Sequence, residues 1–429
     1  MKSSFYNICF SHRDKNYIYN TLTTTLISVD NQVLNAIKGD NLSTLSADIL
    51  SRLESQKIIV EDELDELAVY ENYYNTSQYG ATSEELRIVF IPTYNCNLKC
   101  TYCFEDCSLH STITEENVEE VFEFIANQLS LNHSYHRISL VLFGGEPLLC
   151  TRECVSMCDK IREYCNSNSL DFESKIITNG ILIDTEIIDT LILPNQMRIQ
   201  ITMDGVKDVH NSRRVHRNGK GTYDEILKAI DILNKFKLNG SIDLRINVDK
   251  NNISTIEGVL KDVYDKVDYI YIGLLRAEGS NKERLSDCIS DNDYVLKYRP
   301  ALESIFNKYG KKLHYSSFGK KHSCALNSGN SFIVDCNLDV YKCDNLVGRP
   351  AFSVGKIRNG ELIKNSQYYS QRTWSPLHFE SCRKCNKLPA CTSSCAYLCL
   401  SKNGSISKPL CAMTDNQLIE KIRQYIDNR

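Results

Sequence analysis

The stretch "CNLKCTYCFE", residues 96–105, sets Cys96, Cys100 and Cys103 at CxxxCxxC spacing. Thiolates are soft ligands that suit zinc or an iron–sulfur cluster. A loop this short supplies three corners of a cubane and leaves one iron open to a small molecule, much as catalytic zinc keeps an open position. A zinc ion completed by a distant residue is the competing assignment. Three more stretches carry groups able to hold that small molecule. "LFGGEP" contains Gly144, Gly145 and Glu146, and paired glycines let a backbone approach a ligand closely. "TNG" spans 178–180, and "ITMDG" offers the hydroxyl of Thr202 and the carboxylate of Asp204, a pair suited to a ribose or an amino-acid group. A second cysteine group, "CRKCNKLPACTSSC", places Cys382, Cys385, Cys391 and Cys395 at CX2CX5CX3C, with Cys324 and Cys343 upstream and Cys411 downstream. The chain has 19 cysteines and no apolar signal-peptide region at its start, which favours metal or catalytic use over disulfides. Cys150, Cys154 and Cys158 have helical spacing and read as core thiols. Cys107 lies just past the first loop, with only a weak claim on the site.

The elements that must position these groups follow from periodicity. From about 86 to 315, six apolar strand patterns alternate with helical ones: "LRIVFI", "RISLVLF", "SKIIT", "MRIQITM", "IDLRINV" and "YIYIGLL". Six βα units imply a parallel sheet, open or curled into a partial barrel, with ligands at the C-terminal ends of the strands. The cysteine loop, GGEP, TNG and TMDG follow the first four strands in turn, so all fall on that edge. Ile226, Ile230 and Leu233 share one helix face, and Thr222 with Glu225, and Ser254 with Glu257, have capping-box spacing. Residues 1–80 form a separate small unit of strands and short helices, winged-helix-like. Residues 316–429 are cysteine-dense with weak periodicity, as in a segment ordered by metal ligation.

Composition narrows the partners. The net charge of −4 gives no general attraction to nucleic acid. No apolar run is long enough to span a membrane. A cytoplasmic location is expected. Residues 1–80 hold six Lys/Arg against eleven Asp/Glu, an acidic balance that reads as a solvated face or as a docking surface for a basic peptide.

The CxxxCxxC loop with Tyr102 before its last cysteine, together with GGEP in register, resembles the radical S-adenosylmethionine (SAM) superfamily. The C-terminal cysteines resemble its SPASM-domain subgroup. The resemblance covers residues 86–429. It implies an α/β fold: a partial (β/α)6 TIM-like barrel over 86–315, a SPASM domain over 316–429 and, by layout, a peptide-recognition module over 1–80. It implies three [4Fe–4S] clusters. Cys96, Cys100 and Cys103 would hold the catalytic one, whose open iron takes SAM. Cys382, Cys385, Cys391 and Cys411 would hold one auxiliary cluster; Cys324, Cys343 and Cys395 the other. The fourth ligand of the latter stays open between Cys336, Cys399 and substrate. Gly144, Gly145 and Glu146 would contact the SAM amine, and Thr202 and Asp204 match the family's Ser-x-Asp. Arg214 in "HNSRR", with His210 and with Asn211 in place of the family's Asp, would meet the SAM carboxylate. Leu338 stands where the family has a glycine before the second cysteine.

In this family reduced cluster and SAM yield a radical that abstracts hydrogen from carbon. The implied function is maturation of a ribosomally made precursor peptide, most simply by a thioether crosslink. Its leader would bind residues 1–80, and flavodoxin or ferredoxin would supply electrons. Carbon–carbon or carbon–oxygen crosslinking is a variant. The alternative is an anaerobic sulfatase-maturating enzyme, in which Asp344, directly after Cys343, would be the catalytic base. A non-catalytic iron–sulfur electron carrier is the third possibility.

Overall fold

The computed structural model describes residues 1–79, 84–103, 105, 109–276, 285–313, 324–391, 395–406, 408–411 and 413–427. Cys107 lies outside them. The chain divides into two compact units: Met1–Gly80 with Tyr315–Cys324 and Trp374–Arg429, and Ala81–His314 with Ala325–Thr373.

In the first unit, β1 (Asn7–His12), β2 (Lys15–Asn20) and β3 (Leu26–Val29) form an antiparallel sheet in chain order. Strand alternation gives it two apolar faces. Cys9, Ile18 and Ile27 point to the helices Asn31–Lys38 and Ala47–Ser55, packing with Val33, Leu34, Ile37 and Leu53. Asp30 and Ser46 cap those helices through Val33 N and Ile49 N. Ile8, Phe10 and Tyr19 occupy the opposite face and bury Met413, Leu418 and Ile422, the last two on helix Asp415–Asp427. A further cluster joins Tyr6, Leu22, Tyr70 and Tyr74 to Leu377 and Leu388. Residues 1–80 are therefore not a separate body: each face of a sheet needs cover, and the chain's C-terminal segment covers one.

The second unit is built on a ten-stranded sheet. Its first six strands are β4 (Glu85–Ile91), β5 (Arg137–Leu142), β6 (Asp171–Thr178), β7 (Arg198–Thr202), β8 (Ile242–Val248) and β9 (Tyr269–Leu274), all parallel and adjacent in chain order. They match the six sequence-derived strands closely. β10 (Ser331–Asp335) then pairs parallel to β4, and β11 (Asp339–Tyr341), β12 (Gly355–Arg358) and β13 (Glu361–Lys364) continue as an antiparallel meander. Residues 331–364 thus extend the barrel sheet, although periodicity had assigned them to a metal-ordered domain. Their strands are short, and only the pairing with β4 reveals their place.

One face of the parallel strands is apolar and carries the helices; Ile226, Ile230 and Leu233 are fully buried there. The other face is polar. Lys175 on β6 bonds Gln200 on β7 at 2.9 Å, and Arg198 on β7 meets buried Asp243 on β8 at 3.1 Å. This alternation departs from the all-apolar strands of a sheet covered on both sides. It leaves a hydrophilic interior suited to a polar substrate.

Neither capping box forms. Thr222 Oγ1 donates to Arg214 O at 2.9 Å, while Glu225 pairs with His216 and Lys220. Ser254 lies inside the short turn Ile253–Thr255, ahead of helix Ile256–Val263, and Glu257 pairs with Lys308. The tight turn before Cys343 survives without its glycine: Leu338 takes φ +66°, and its N–H bonds Asp335 O at 3.0 Å. A leucine in the left-handed region carries a strain of ~1–3 kcal/mol. Among the described residues no helix is long and apolar enough to cross a membrane.

Candidate active site

The glycines of GGEP are needed for a close backbone approach, here to the approach of the cysteine loop. A Cβ on Gly145 would lie 2.3 Å from Asn95 O and 2.6 Å from Tyr94 O; one on Gly144, at φ +124°, 2.6 Å from Thr93 O. Gly145 N donates to Thr93 O at 3.1 Å and Glu146 N to Asn95 O at 2.8 Å. Gly145→Ala should therefore lower stability by about 1–3 kcal/mol through overpacking. Thermal unfolding of the variant, with its iron content after reconstitution, checks this.

Glu146 is 0% exposed. Its carboxylate accepts from Thr178 Oγ1 at 2.7 Å, Asn179 N at 2.8 Å and Leu148 N at 3.1 Å. Burial raises its pKa, and these three bonds pull it back. The side chain is thus committed to joining the ends of β5 and β6.

The cysteine loop is strapped to residues 213–217. Lys99 N donates to Val215 O at 2.7 Å, Thr101 N to Arg213 O at 2.9 Å, and Arg217 Nε to Cys96 O at 2.9 Å. Asn179, from TNG, reaches Asn97 Oδ1 at 2.7 Å and Cys96 Sγ at 3.9 Å. The "HNSRRVHR" segment thereby acts as a clamp on the loop.

Tyr102 joins the loop to the end of β7. Its hydroxyl bonds Asp204 Oδ2 and accepts from Arg214 Nη1 at 2.7 Å and Asn247 Nδ2 at 3.3 Å. Burial raises the Tyr102 pKa strongly, keeping the hydroxyl protonated. Asp204, also 0% exposed, accepts Asn247 N at 3.1 Å on Oδ1, and Arg213 Nε stands 3.8 Å from Oδ2. Arg213 pairs with Asp249 at 2.6 Å. Both oxygens of Asp204 therefore have protein partners, and this residue organises the site by tying Tyr102 to Asn247. Sequence reasoning missed Arg213, Asn247 and Asn252, which lie beside it; Asn252 donates to Asp204 O at 2.6 Å. The signal for Asn247 and Asn252 was their position at and just past the end of β8, where polar residues cluster; Arg213 closes the helix Lys207–Arg213 and had no such mark.

His210 sits under this web. Its Nδ1 accepts Asp204 N at 3.2 Å and Nε2 meets Thr222 Oγ1 at 3.0 Å. Burial, then Arg214 and Arg213, lower its pKa from 6.5 to about 3. The folded ring stays neutral while the unfolded one takes up a proton below about 6.5, so this contribution to stability is full above that pH and falls as pH drops towards 3. Urea titrations between pH 7 and 4.5 should show the fall, and His210→Gln should flatten it.

The donor set fits the two groups the sequence implied. Cys96, Cys100 and Cys103 are all half-buried on one loop. Burial pushes the Cys96 thiol up to about 12, so a bound cation must supply the charge that makes it a thiolate ligand. Arg213 Nε and Arg214 Nε are buried donors without hydrogen-bond partners. Arg213 Nε already faces the Asp204 carboxylate at 3.8 Å, which leaves Arg214 Nε as the buried donor suited to a ligand carboxylate. Thr202 is buried at the end of β7. Among the described residues no three Cys, His, Asp or Glu side chains converge as ligands of one ion would.

Elsewhere in this unit, Cys343 is half-buried and Asp344 follows it at the start of a one-turn helix. Asp344 is exposed, and partial desolvation by the surrounding chain raises its pKa against Arg87 on β4 and Arg245 on β8, residues of the polar sheet face. Cys336 is buried in the core. In the first unit Cys324 and Cys411 are exposed, Cys382, Cys385, Cys391 and Cys395 half-buried, and Cys399 fully buried. Cys154, Cys158 and Cys165 line the buried side of helix Thr151–Asn168, as core thiols.

The family model of the radical SAM superfamily matches residues 90–263. The cysteine-type anaerobic sulfatase-maturating enzyme of Clostridium perfringens is 25% identical over 326 residues, covering 70% of this chain and 85% of that protein. The serine-type enzyme of Bacteroides thetaiotaomicron is 20% identical, covering 70% and 80%. A structure of native anSMEcpe with bound AdoMet and Cp18Cys peptide superposes with TM-score 0.61 at 21% identity, over 80% of this chain and 96% of that one. Streptococcus suis SuiB bound to precursor peptide SuiA superposes with TM-score 0.57 at 15% identity, over 97% and 99%. The matched segment contains the three-cysteine loop, GGEP, TNG, TMDG and the arginine clamp, so residues 90–263 are similar to the radical SAM domain in the part that carries the site.

Proposed function

We propose that this radical SAM enzyme matures a ribosomally made precursor peptide by installing a crosslink, a thioether from a peptide cysteine to a carbon of another residue. The observation that carries this reading is coverage. The peptide-bound SuiB fold spans 97% of the chain, N-terminal sheet included, whereas the anSMEcpe fold spans 80%. Cys96, Cys100 and Cys103 would hold the catalytic [4Fe–4S] cluster. The backbone of Gly144–Glu146, with Thr202 and Arg214, would hold SAM. Bound there, the two supply a radical able to take hydrogen from carbon. The protein's own part is positional: Tyr102, Asp204 and Arg213 fix the loop, and the polar barrel face receives the peptide. Asp344, an exposed carboxylate with its pKa raised by partial desolvation, would take the thiol proton on a carboxylate oxygen. Cys382, Cys385, Cys391 and Cys411 would hold one auxiliary cluster and Cys324, Cys343 and Cys395 the other, with flavodoxin or ferredoxin as electron source.

The leader would add a strand to the edge of β3. β3 pairs with β2 through Asn20 N and Thr25 O at 2.9 Å, and the antiparallel alternation from that bond turns the N–H groups of Leu26 and Ser28 outward. Deleting residues 1–79 would strip the core around Leu418 and Leu388, so a point change is the cleaner probe. Ser28→Pro, on an exposed edge residue, removes one outward donor. Its expected effect is at least tenfold weaker leader binding by fluorescence anisotropy, with unchanged melting and unchanged substrate-free SAM cleavage. Wild-type binding by a folded Ser28→Pro protein would exclude this edge.

Sulfatase maturation is the second reading, favoured by the relatives' sequence identity and by Asp344 beside Cys343. Anaerobic incubation with a cysteine-containing precursor and, separately, with a sulfatase-derived peptide distinguishes the two. Loss of two hydrogens and of a free thiol from the precursor supports crosslinking; an aldehyde on the sulfatase peptide supports the alternative.

A further inference from the structure

Tyr6 carries a buried hydroxyl that no described group satisfies. The side chain is 0% exposed, and its oxygen has no hydrogen-bond partner. Buried polar groups are seldom left this way, because desolvation is then uncompensated. Tyr6 packs in a cluster with Leu22, Tyr70 and Leu388, and Cys382 packs against the same cluster. Its backbone is tied to the same place: Thr21 N donates to Tyr6 O at 3.0 Å, and Thr21 Oγ1 to Asn386 O at 2.5 Å. Asn386 lies in the turn that carries the cysteines. Cys385 N bonds Cys382 O at 3.0 Å, Leu388 N bonds Cys385 O at 3.1 Å, and Cys391 N bonds Lys387 O at 2.8 Å. Burial first, and then Glu66 and other acidic groups including Cys385, raise the Tyr6 pKa, so the hydroxyl remains a donor.

We propose that the Tyr6 hydroxyl donates a hydrogen bond to the sulfur shell of the iron–sulfur cluster that Cys382, Cys385, Cys391 and Cys411 would hold, so that an N-terminal residue tunes that cluster's potential. The inference rests on the auxiliary-cluster reading above. Cysteine thiolate and inorganic sulfide both accept hydrogen bonds. A donor favours the more negative, reduced cluster and raises its potential. The arrangement also ties redox tuning to the segment whose sheet would receive the leader.

The test uses full-length protein reconstituted anaerobically, with redox titration followed by electron paramagnetic resonance. Tyr6→Phe keeps the ring and removes only the unpartnered oxygen, so circular dichroism and iron content should match wild type. One auxiliary midpoint should move to a more negative potential, by about tenfold in the reduction equilibrium or ~59 mV for a one-electron couple. The other midpoints should stay in place. Wild-type protein reconstituted in D2O should also lose a proton coupling at that reduced cluster, a readout that needs no variant. Unchanged midpoints in a fully loaded Tyr6→Phe protein, or the absence of an exchangeable coupling in wild type, would overturn the Tyr6 donor alone. Wild-type protein holding only about one four-iron cluster would overturn the auxiliary-cluster reading and the donor together.

Discussion

Replacing Cys96, Cys100 and Cys103 together by alanine should abolish SAM cleavage and remove about four of about twelve irons, the content of one cubane among three. The remaining irons should stay, because none of the three loop cysteines is among the proposed ligands of the other clusters, and Cys382, Cys385, Cys391 and Cys411 belong to a different compact unit. The fold should also stay. The loop is held by backbone bonds from Lys99 and Thr101 to residues 213–215, and by the Tyr102 hydroxyl, none of which uses a cysteine sulfur. Iron analysis, Mössbauer spectroscopy and circular dichroism of the triple variant check all three statements. Loss of every iron, or retained SAM cleavage, would show that the loop does not hold the catalytic cluster.

The second large effect concerns stability. Asp204→Ala should cost about 3–5 kcal/mol, the usual consequence of removing one partner from a buried charged network. The variant would leave the Tyr102 hydroxyl and Asn247 N without their acceptor and Arg213 without the second of its two carboxylate neighbours. Asp204→Asn keeps an acceptor oxygen and should cost less. Denaturant unfolding, with iron retention as a second readout, measures both. If Asp204→Ala melts like wild type and loses only SAM affinity, the carboxylate faces the ligand and the structural role assigned to it is wrong.

The parallel strands were legible because apolar alternation and turn residues mark them locally. The motif edge was legible for the same reason: each motif follows a strand directly. What the motifs do was less legible. Gly145 and Asp204 carry the right residue types for a ligand, yet the glycine accommodates Asn95 O and the carboxylate holds Tyr102. A short polar residue at a strand end looks the same in sequence whether its partner is a ligand or a neighbouring loop. Partners distant in the chain were invisible: β10 completing the sheet beside β4, and Leu418 covering the N-terminal sheet, depend on long-range pairing that periodicity does not encode. Leu338 shows the converse, where a leucine standing in the family's glycine position still takes the left-handed conformation of the turn.

The most direct test is 5′-deoxyadenosine formation by the anaerobically reconstituted, chemically reduced protein, with and without a cysteine-containing precursor peptide. A radical SAM peptide maturase should release 5′-deoxyadenosine with reductant, form more of it when the peptide is present, and convert the peptide to a species lighter by two hydrogens. Protein fully loaded with iron that yields no 5′-deoxyadenosine under either condition, or protein that binds zinc and no iron, would contradict it.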